Sequence, residues 1–251
     1  MAVVVTRPAQ EAQRWAVLLR EGGLQPVVLP LLAIAPAPDR EGLRQVAAQA
    51  DDYAAVMFVS AHAVQGFFAA SPRFMRARAW APGPATRDAL LAAGVPPARI
   101  DAPAADAVQF DSESLWQQVQ GQLGAGDRLL VVRGADATGR GQGREWLAQQ
   151  VEAAGAGVAF AAAYRREPPA WSDAERALAR GAAVDGSWWL FSSSEAARNL
   201  PTLLPGQDWS RARAVATHPR IVQSVRALGF RTVVPCRPAL ADVVASIESA
   251  R

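Results

Sequence analysis

The chain contains no lysine: all 26 of its basic side chains are arginine, in a sequence of 251 residues. Schiff-base chemistry, pyridoxal phosphate attachment and a Walker-type phosphate loop each need a lysine amine, so all three are excluded. A single cysteine, Cys236, cannot form an internal disulfide, and with two histidines, His62 and His218, it falls short of an ordinary zinc ligand set. Tyrosine is almost as scarce, with only Tyr53 and Tyr164. No apolar run approaches the length of a membrane span, and the first strand-like stretch, Ala2 to Thr6, is too short and wrongly flanked for a secretory leader. These absences predict a cytoplasmic protein that makes no use of a membrane.

What is present describes a folded, mildly basic protein. An apolar share of 51%, a formal charge of +3 and a pI near 9.9 accompany arginines that are spread along the chain rather than gathered into runs. Without a basic run or aromatic interleaving there is no sign of nucleic-acid binding, whereas arginines around a crevice suit an acidic small molecule. The length fits one large domain or two ordinary ones.

Internal repetition chooses two. The stretch WWLFSSSEAA, Trp188 to Ala197, is an apolar strand ending in serines and running into a helix, and AAVMFVSAHAVQGFF, Ala54 to Phe68, repeats the pattern with Ser60 at the junction. Ala77 to Val95 likewise parallels Arg211 to Phe230, with Pro84 opposite Pro219 and Gly94 opposite Gly229. Val3 to Pro30 parallels Leu129 to Phe160, each a strand with an arginine at its end, a helix, a glycine stop and another strand. Three matches in one order predict two similar α/β halves. Strand ends of such sheets present free N–H groups and hydroxyls where anions settle, although a serine there also serves simply as a helix cap.

The same ambiguity attaches to single residues. Arg7 stands where the first strand gives way to a helix starting at Pro8, and either reaches a crevice or lies on the surface. Thr86 in PGPAT caps its helix or faces a ligand, and His218 in THPRI is a general acid or a polar turn residue. The glycines of GADATGRGQGREW lack the GxGxxG spacing, so a dinucleotide site is disfavoured against a loop whose Arg140 and Arg144 hold carboxylates. LLAIAPAPD, Leu31 to Asp39, and YRREPP, Tyr164 to Pro169, read as two extended connectors. The connectors permit the first strand-helix-strand to fold with the last part of the chain, an arrangement that the pattern itself leaves open.

Taken in order, VVVTRP, MFVSAHAVQGFF, PGPATRDALLAAG, LLVVRG with GREWLAQQVEAAGAGV, AYRRE, LFSSSEA and ATHPRIVQSVRALGF resemble the uroporphyrinogen-III synthase family over almost the whole chain. The resemblance implies an α/β fold of two similar parallel-sheet, flavodoxin-like domains joined by a two-stranded connector. One domain would comprise residues 1–33 and 168–251 and the other 37–162, with connector strands at 31–37 and 162–168. It further implies cyclisation of hydroxymethylbilane to uroporphyrinogen III, with inversion of the last pyrrole ring and loss of water, using neither metal nor organic cofactor. The terminal hydroxyl leaves to give an azafulvene, and closure passes through a spiro intermediate driven by pyrrole nitrogen lone pairs. The protein's task is then mainly orientation.

The residues expected to meet the substrate's acetates and propionates are Thr6, Arg7, Ser60, Ala61, His62, Gly83, Thr86, Arg133, Gly134, Arg140, Arg144, Ser192, Ser193, Ser194, Thr217, His218 and Arg220. Tyr164 matches the connector tyrosine proposed in the family as an acid, with a packing role as the alternative. The chain departs from the family where THPRI replaces a glycine followed by a threonine pair, and where His62 occupies a variable position. A monomer is expected, in transient contact at most with the enzyme that makes the bilane. Two other classes compete: a non-catalytic hinge-type binding protein for a small polyanion, and a transferase using a nucleotide-activated donor, which the missing phosphate loop disfavours.

Overall fold

The computed structural model describes residues 2–72, 76–104, 111–136, 138–139 and 146–250. The chain divides into two compact units, Met1–Ala33 together with Glu167–Arg251, and Ile34–Arg166. The first unit opens with β1 (Val3–Val5), α1 (Ala9–Glu21) and β2 (Pro26–Val28). Next come β3 (Ala33–Pro36), α2 (Arg40–Ala48), β4 (Ala55–Phe58), α3 (Ala61–Ala70), β5 (Arg78–Trp80), α4 (Pro84–Ala92) and β6 (Ile100–Asp101). They are followed by α5 (Ser112–Val119), β7 (Arg128–Ala135), α6 (Trp146–Ala153) and β8 (Gly157–Glu167). The first unit is then completed by α7 (Asp173–Ala182), β9 (Trp188–Phe191), α8 (Ser194–Arg198), α9 (Leu200–Leu203), β10 (Arg213–Ala216), α10 (Pro219–Ala227), β11 (Thr232–Pro235) and α11 (Leu240–Ser249).

The five-stranded sheet of the first unit has the order β11-β10-β9-β1-β2, every pair parallel. Its central strands alternate between two cores: Val4, Trp189 and Phe191 face one, Val3, Val5, Trp188 and Leu190 the other. A strand buried on both faces must be apolar at every position, which is why WWLF carries no polar residue. Trp189 meets Trp209 edge-on at 5.2 Å, and Trp209 stacks on Phe230 at 5.1 Å. The Trp189 indole N–H donates to the Ala182 carbonyl at 3.1 Å, so this buried polar atom is satisfied.

The second unit has a six-stranded sheet in the order β3-β8-β7-β4-β5-β6, parallel from β8 to β6. Val56, Phe58, Leu130 and Val132 build the core on the α3 side, while Met57, Trp80, Leu129 and Val131 build the opposite one.

Local chemistry sets the helix ends. Asp39 caps α2 by accepting from the Gly42 N–H at 2.8 Å, Asp111 caps α5 from Ser114 at 2.8 Å, and Ser172 with Glu175 forms a capping box on α7. Gly94 and Gly229 follow α4 and α10 with φ of +87° and +100°, a conformation that side chains other than glycine rarely adopt.

The start of α1 differs from the sequence expectation. Pro8 caps α1 instead of opening it. β8 is one strand of 11 residues, running without interruption through the YRRE segment. Leu31 and Leu32 are buried in the core of the first unit, where the Trp171 indole donates to the Pro30 carbonyl and the Asn199 amide to that of Leu31. Among the described residues no helix is long and apolar enough to cross a membrane.

Cys236, just past β11, has its thiol pushed up to about 11 by burial, assisted by the carboxylate of Asp242. Because the thiolate is the reactive species, alkylation of the folded protein at pH 8 is expected to be roughly a hundredfold slower than that of the urea-unfolded chain. Equal rates, followed by mass spectrometry, would contradict the burial.

Candidate functional site

Two adjacent strands in each unit end in a helix start, and the four starts are built alike. After β4, Ser60 caps α3 and its Oγ accepts from the Ala63 N–H at 3.2 Å; after β9, Ser193 caps α8 and accepts from Ala196 at 3.3 Å. After β5, Gly83 caps α4 with extended backbone and Pro84 follows; after β10, His218 caps α10 and Pro219 follows. Proline is favoured at the first helical position because its missing N–H would be unpartnered anyway. Gly83 has no side chain to cap with, whereas His218 Nδ1 accepts from the Arg220 N–H at 3.1 Å. Nδ1 therefore carries no proton, and the proton of the neutral ring sits on Nε2.

In the first unit these starts surround an open cavity of about 680 Å³. It is lined by Ser192, Ser193 and Ser194 from the β9 end and by Thr217, His218 and Arg220 from the β10 end, so six of the expected residues come together. Arg198, Glu195, Gln223, Ser224 and Pro238 contribute to the same wall. The hydroxyls, the guanidiniums of Arg198 and Arg220 and the outer nitrogen of His218 make it rich in hydrogen-bond donors, with Glu195 as the one carboxylate among these lining residues.

In the second unit the chemistry gathers at Tyr164. This residue sits on β8 beyond a β-bulge between Arg133 and Gly134, which shifts the register so that Gly134 lies opposite it. The ring rests against Gly134: a Cβ there would stand 2.5 Å from Tyr164 Cζ and 2.8 Å from its oxygen. The residue is only 6% exposed, yet its hydroxyl lies 3.2 Å from Ser60 Oγ and its ring 5.6 Å from that of His62. Tyr164 and His62 line a cavity of about 500 Å³ between α2, α3, β3 and β8, walled by Ile34, Ala35, Leu43, Gly66 and Ala69, with Arg40 and Arg44 among its polar residues. Ala61 opens α3 beside this corner.

Several expected residues make contacts within the fold itself. Thr6 is 1% exposed and its hydroxyl donates to the Leu190 carbonyl at 2.6 Å, tying β1 to β9 inside the sheet. The Arg7 guanidinium turns onto α1, pairing with Glu11 at 3.3 Å and lying 4.5 Å over the Trp15 ring, while its buried Nε has no hydrogen-bond partner among the described residues. Burial lowers the pKa of Arg7, and Glu11 offsets part of that. Thr86 is buried in the first turn of α4, and neither it nor Gly83 lines either of these cavities. Arg133 lies 4.0 Å over the Phe160 ring, continuing the strand face opposite to Val132. Gly134 acts as a shelf for Tyr164. Arg140 and Arg144 lie outside the described residues.

Sequence reasoning missed Arg198, Gly66 and the pair Arg40 and Arg44. Arg198 stands four residues after Ser194, a spacing that shares one helix face, and a glycine inside the helical AHAVQGFF pattern marks a close approach. Arg40 and Arg44 look like any solvated helix face until β3 is placed beside them.

Fold and site together define a class: a parallel α/β protein of two units, with hydroxyl donors and arginines at the strand ends of one and a buried phenol in the other. The family model described as uroporphyrinogen-III synthase HemD matches residues 13–245, and the chain belongs to the uroporphyrinogen-III synthase family. It is thus a lyase of porphyrin biosynthesis that cyclises hydroxymethylbilane. Solved structures share the fold. Uroporphyrinogen-III synthetase from Helicobacter pylori is 12% identical with a TM-score of 0.63, covering 100% of this chain and 99% of that one. A mutant uroporphyrinogen III synthase from the extremely thermophilic bacterium Thermus thermophilus is 17% identical with a TM-score of 0.55, covering 100% and 98%.

Proposed function

We propose that the serine- and arginine-lined cavity of the first unit binds carboxylates of hydroxymethylbilane, and that Tyr164 is the acid that assists loss of its terminal hydroxyl. The observation that carries this reading is a buried phenol, in contact with Ser60, forming part of a cavity wall that is otherwise mostly apolar. The substrate bears an acetate and a propionate on each ring, so its recognition calls for many donors rather than for a strong base.

The chemistry follows from the substrate's own electrons. The pyrrole nitrogen lone pair pushes toward the hydroxymethyl carbon, the C–O bond breaks, and the oxygen leaves as water with the phenolic proton of Tyr164. The substituted carbon of the last ring attacks the resulting azafulvene, and the spiro intermediate fragments and closes at the other end of that ring. The ring carbon that forms the final bond loses a proton, which restores the phenol, so bilane becomes uroporphyrinogen III plus water. The protein orients the chain so that closure with inversion outruns direct closure. We also assign residues 31–37 and 162–168 as the connector between domains of 1–33 with 168–251 and of 37–162, a reading supported by the change of unit at Ala33 and again at Arg166.

The test is a coupled assay in which freshly generated hydroxymethylbilane is given to the purified protein and the oxidised uroporphyrin isomers are separated. Isomer III in excess over isomer I is expected; isomer I alone, the product of unassisted closure, would overturn the proposal and favour the non-catalytic polyanion-binding alternative.

A further inference from the structure

The contact between Ser60 and Tyr164 has a direction. Ser60 Oγ accepts from the Ala63 N–H at 3.2 Å and lies 3.2 Å from Tyr164 Oη, and these are its two partners among the described residues. Two hydroxyls share the second bond, so one proton lies between them and the other is left over. If Tyr164 donated to Ser60, the serine proton would be left over at the helix cap, and Ser60 is not among the residues that line the cavity. If Ser60 donates, the proton left over belongs to the phenol, which lines the cavity.

The helix start favours the second arrangement. An oxygen that already accepts from an N–H at the positive end of a helix becomes a poorer acceptor and a better donor, because each bond in a chain polarises the next. We propose that Ser60 is a positioning residue for the reaction. It forms a one-way chain, Ala63 N–H to Ser60 Oγ–H to Tyr164 Oη–H, that aims the phenolic proton at the departing hydroxyl of the bilane.

This inference rests on the reading of Tyr164 as the acid and adds a requirement that the reading alone does not make: residue 60 must both cap α3 and donate. The Gly134 shelf and the contact of Gly66 with Ala163 on β8 hold ring and helix in the register that the bond needs. Serine, threonine and aspartate all cap helices well, but an aspartate has no proton to give. In Ser60→Asp the carboxylate accepts from both neighbours, so the phenol turns its proton inward, away from substrate.

The experiment measures kcat, KM and thermal stability for Ser60→Asp and Ser60→Thr, each alone and combined with Tyr164→Phe. Ser60→Asp is expected to lower kcat roughly ten- to a hundredfold while the protein stays folded, and Ser60→Thr, which keeps the hydroxyl, to restore most of that rate. Combined with Tyr164→Phe, Ser60→Asp is expected to change kcat by less than about threefold, since no phenolic proton remains to be turned. The added charge acts on KM in both backgrounds, which is why the comparison is made on kcat. An equal kcat loss from Ser60→Asp with and without Tyr164→Phe, or no loss at all, would overturn the role of Ser60. An undiminished kcat in Tyr164→Phe alone would instead overturn the acid reading beneath it.

Discussion

Tyr164→Phe is expected to lower kcat by roughly a hundredfold and to change KM by less than about threefold. The substitution removes one oxygen and leaves the ring in place against Gly134, so packing is retained. The hydrogen bond lost to Ser60 contributes about 1 kcal/mol, too little to unfold a domain. A positioned acid contributes about a hundred- to ten-thousandfold, and here the low end applies because the pyrrole lone pairs supply most of the push. Orientation survives the change, so the slow variant should still form isomer III in preference to isomer I. Initial rates together with isomer ratios decide the matter. A wild-type kcat would make Tyr164 a packing residue, and a slow variant yielding mainly isomer I would assign it to folding the substrate instead.

Gly66→Ala is expected to have the largest effect on stability. A glycine inside a helix ordinarily gains about 1 kcal/mol on replacement by alanine, so propensity alone predicts a more stable protein. The packing reverses that sign. A Cβ at residue 66 would overlap the Ala163 carbonyl oxygen and lie 2.9 Å from its carbon, and both are backbone atoms of β8 that cannot rotate aside. Helix α3 must lift or tilt, at a net cost of about 2–3 kcal/mol, or a fall in Tm of roughly 5–10 °C. The same displacement draws Ser60 from Tyr164, so activity should fall with stability. Gly121→Ala is the control: a Cβ there meets nothing within 4 Å, and its effect should stay within about 0.5 kcal/mol. Equal thermal stability in the two variants would show that α3 is not pressed onto β8 at this point.

Both predictions concern residues that sequence and structure reveal to different degrees. Tyr164 was legible as a candidate because tyrosine is rare in the chain and the YRRE segment resembles a family pattern. Gly66 was barely legible, since a glycine in a helical pattern has many causes. The serine caps and proline-led starts could be read from order alone, because capping is a contact between residues two or three apart. The Ser60 contact with Tyr164 could not: it joins residues 104 positions apart, and no periodicity encodes it. The same limit explains why Thr6 and Arg7 looked like strand-end donors. Whether a side chain at that point faces a crevice, a neighbouring strand or its own helix depends on the pleat and on what packs beside it, and here Leu190 and Glu11 take them.

The sequence by itself determined the α/β class, the doubled order of strand-to-helix units and the helix starts marked by a serine cap or a leading proline after β4, β5, β9 and β10, because each of these follows from short-range periodicity, capping and φ preference. It also excluded lysine chemistry outright. Only the tertiary structure decided which donors share a cavity, that a register shift between Arg133 and Gly134 lays Tyr164 against a bare backbone, and that its hydroxyl falls beside Ser60. Those are matters of sheet order and register, where a shift of one residue turns a side chain to the other face, and they are set by the packing of the whole unit.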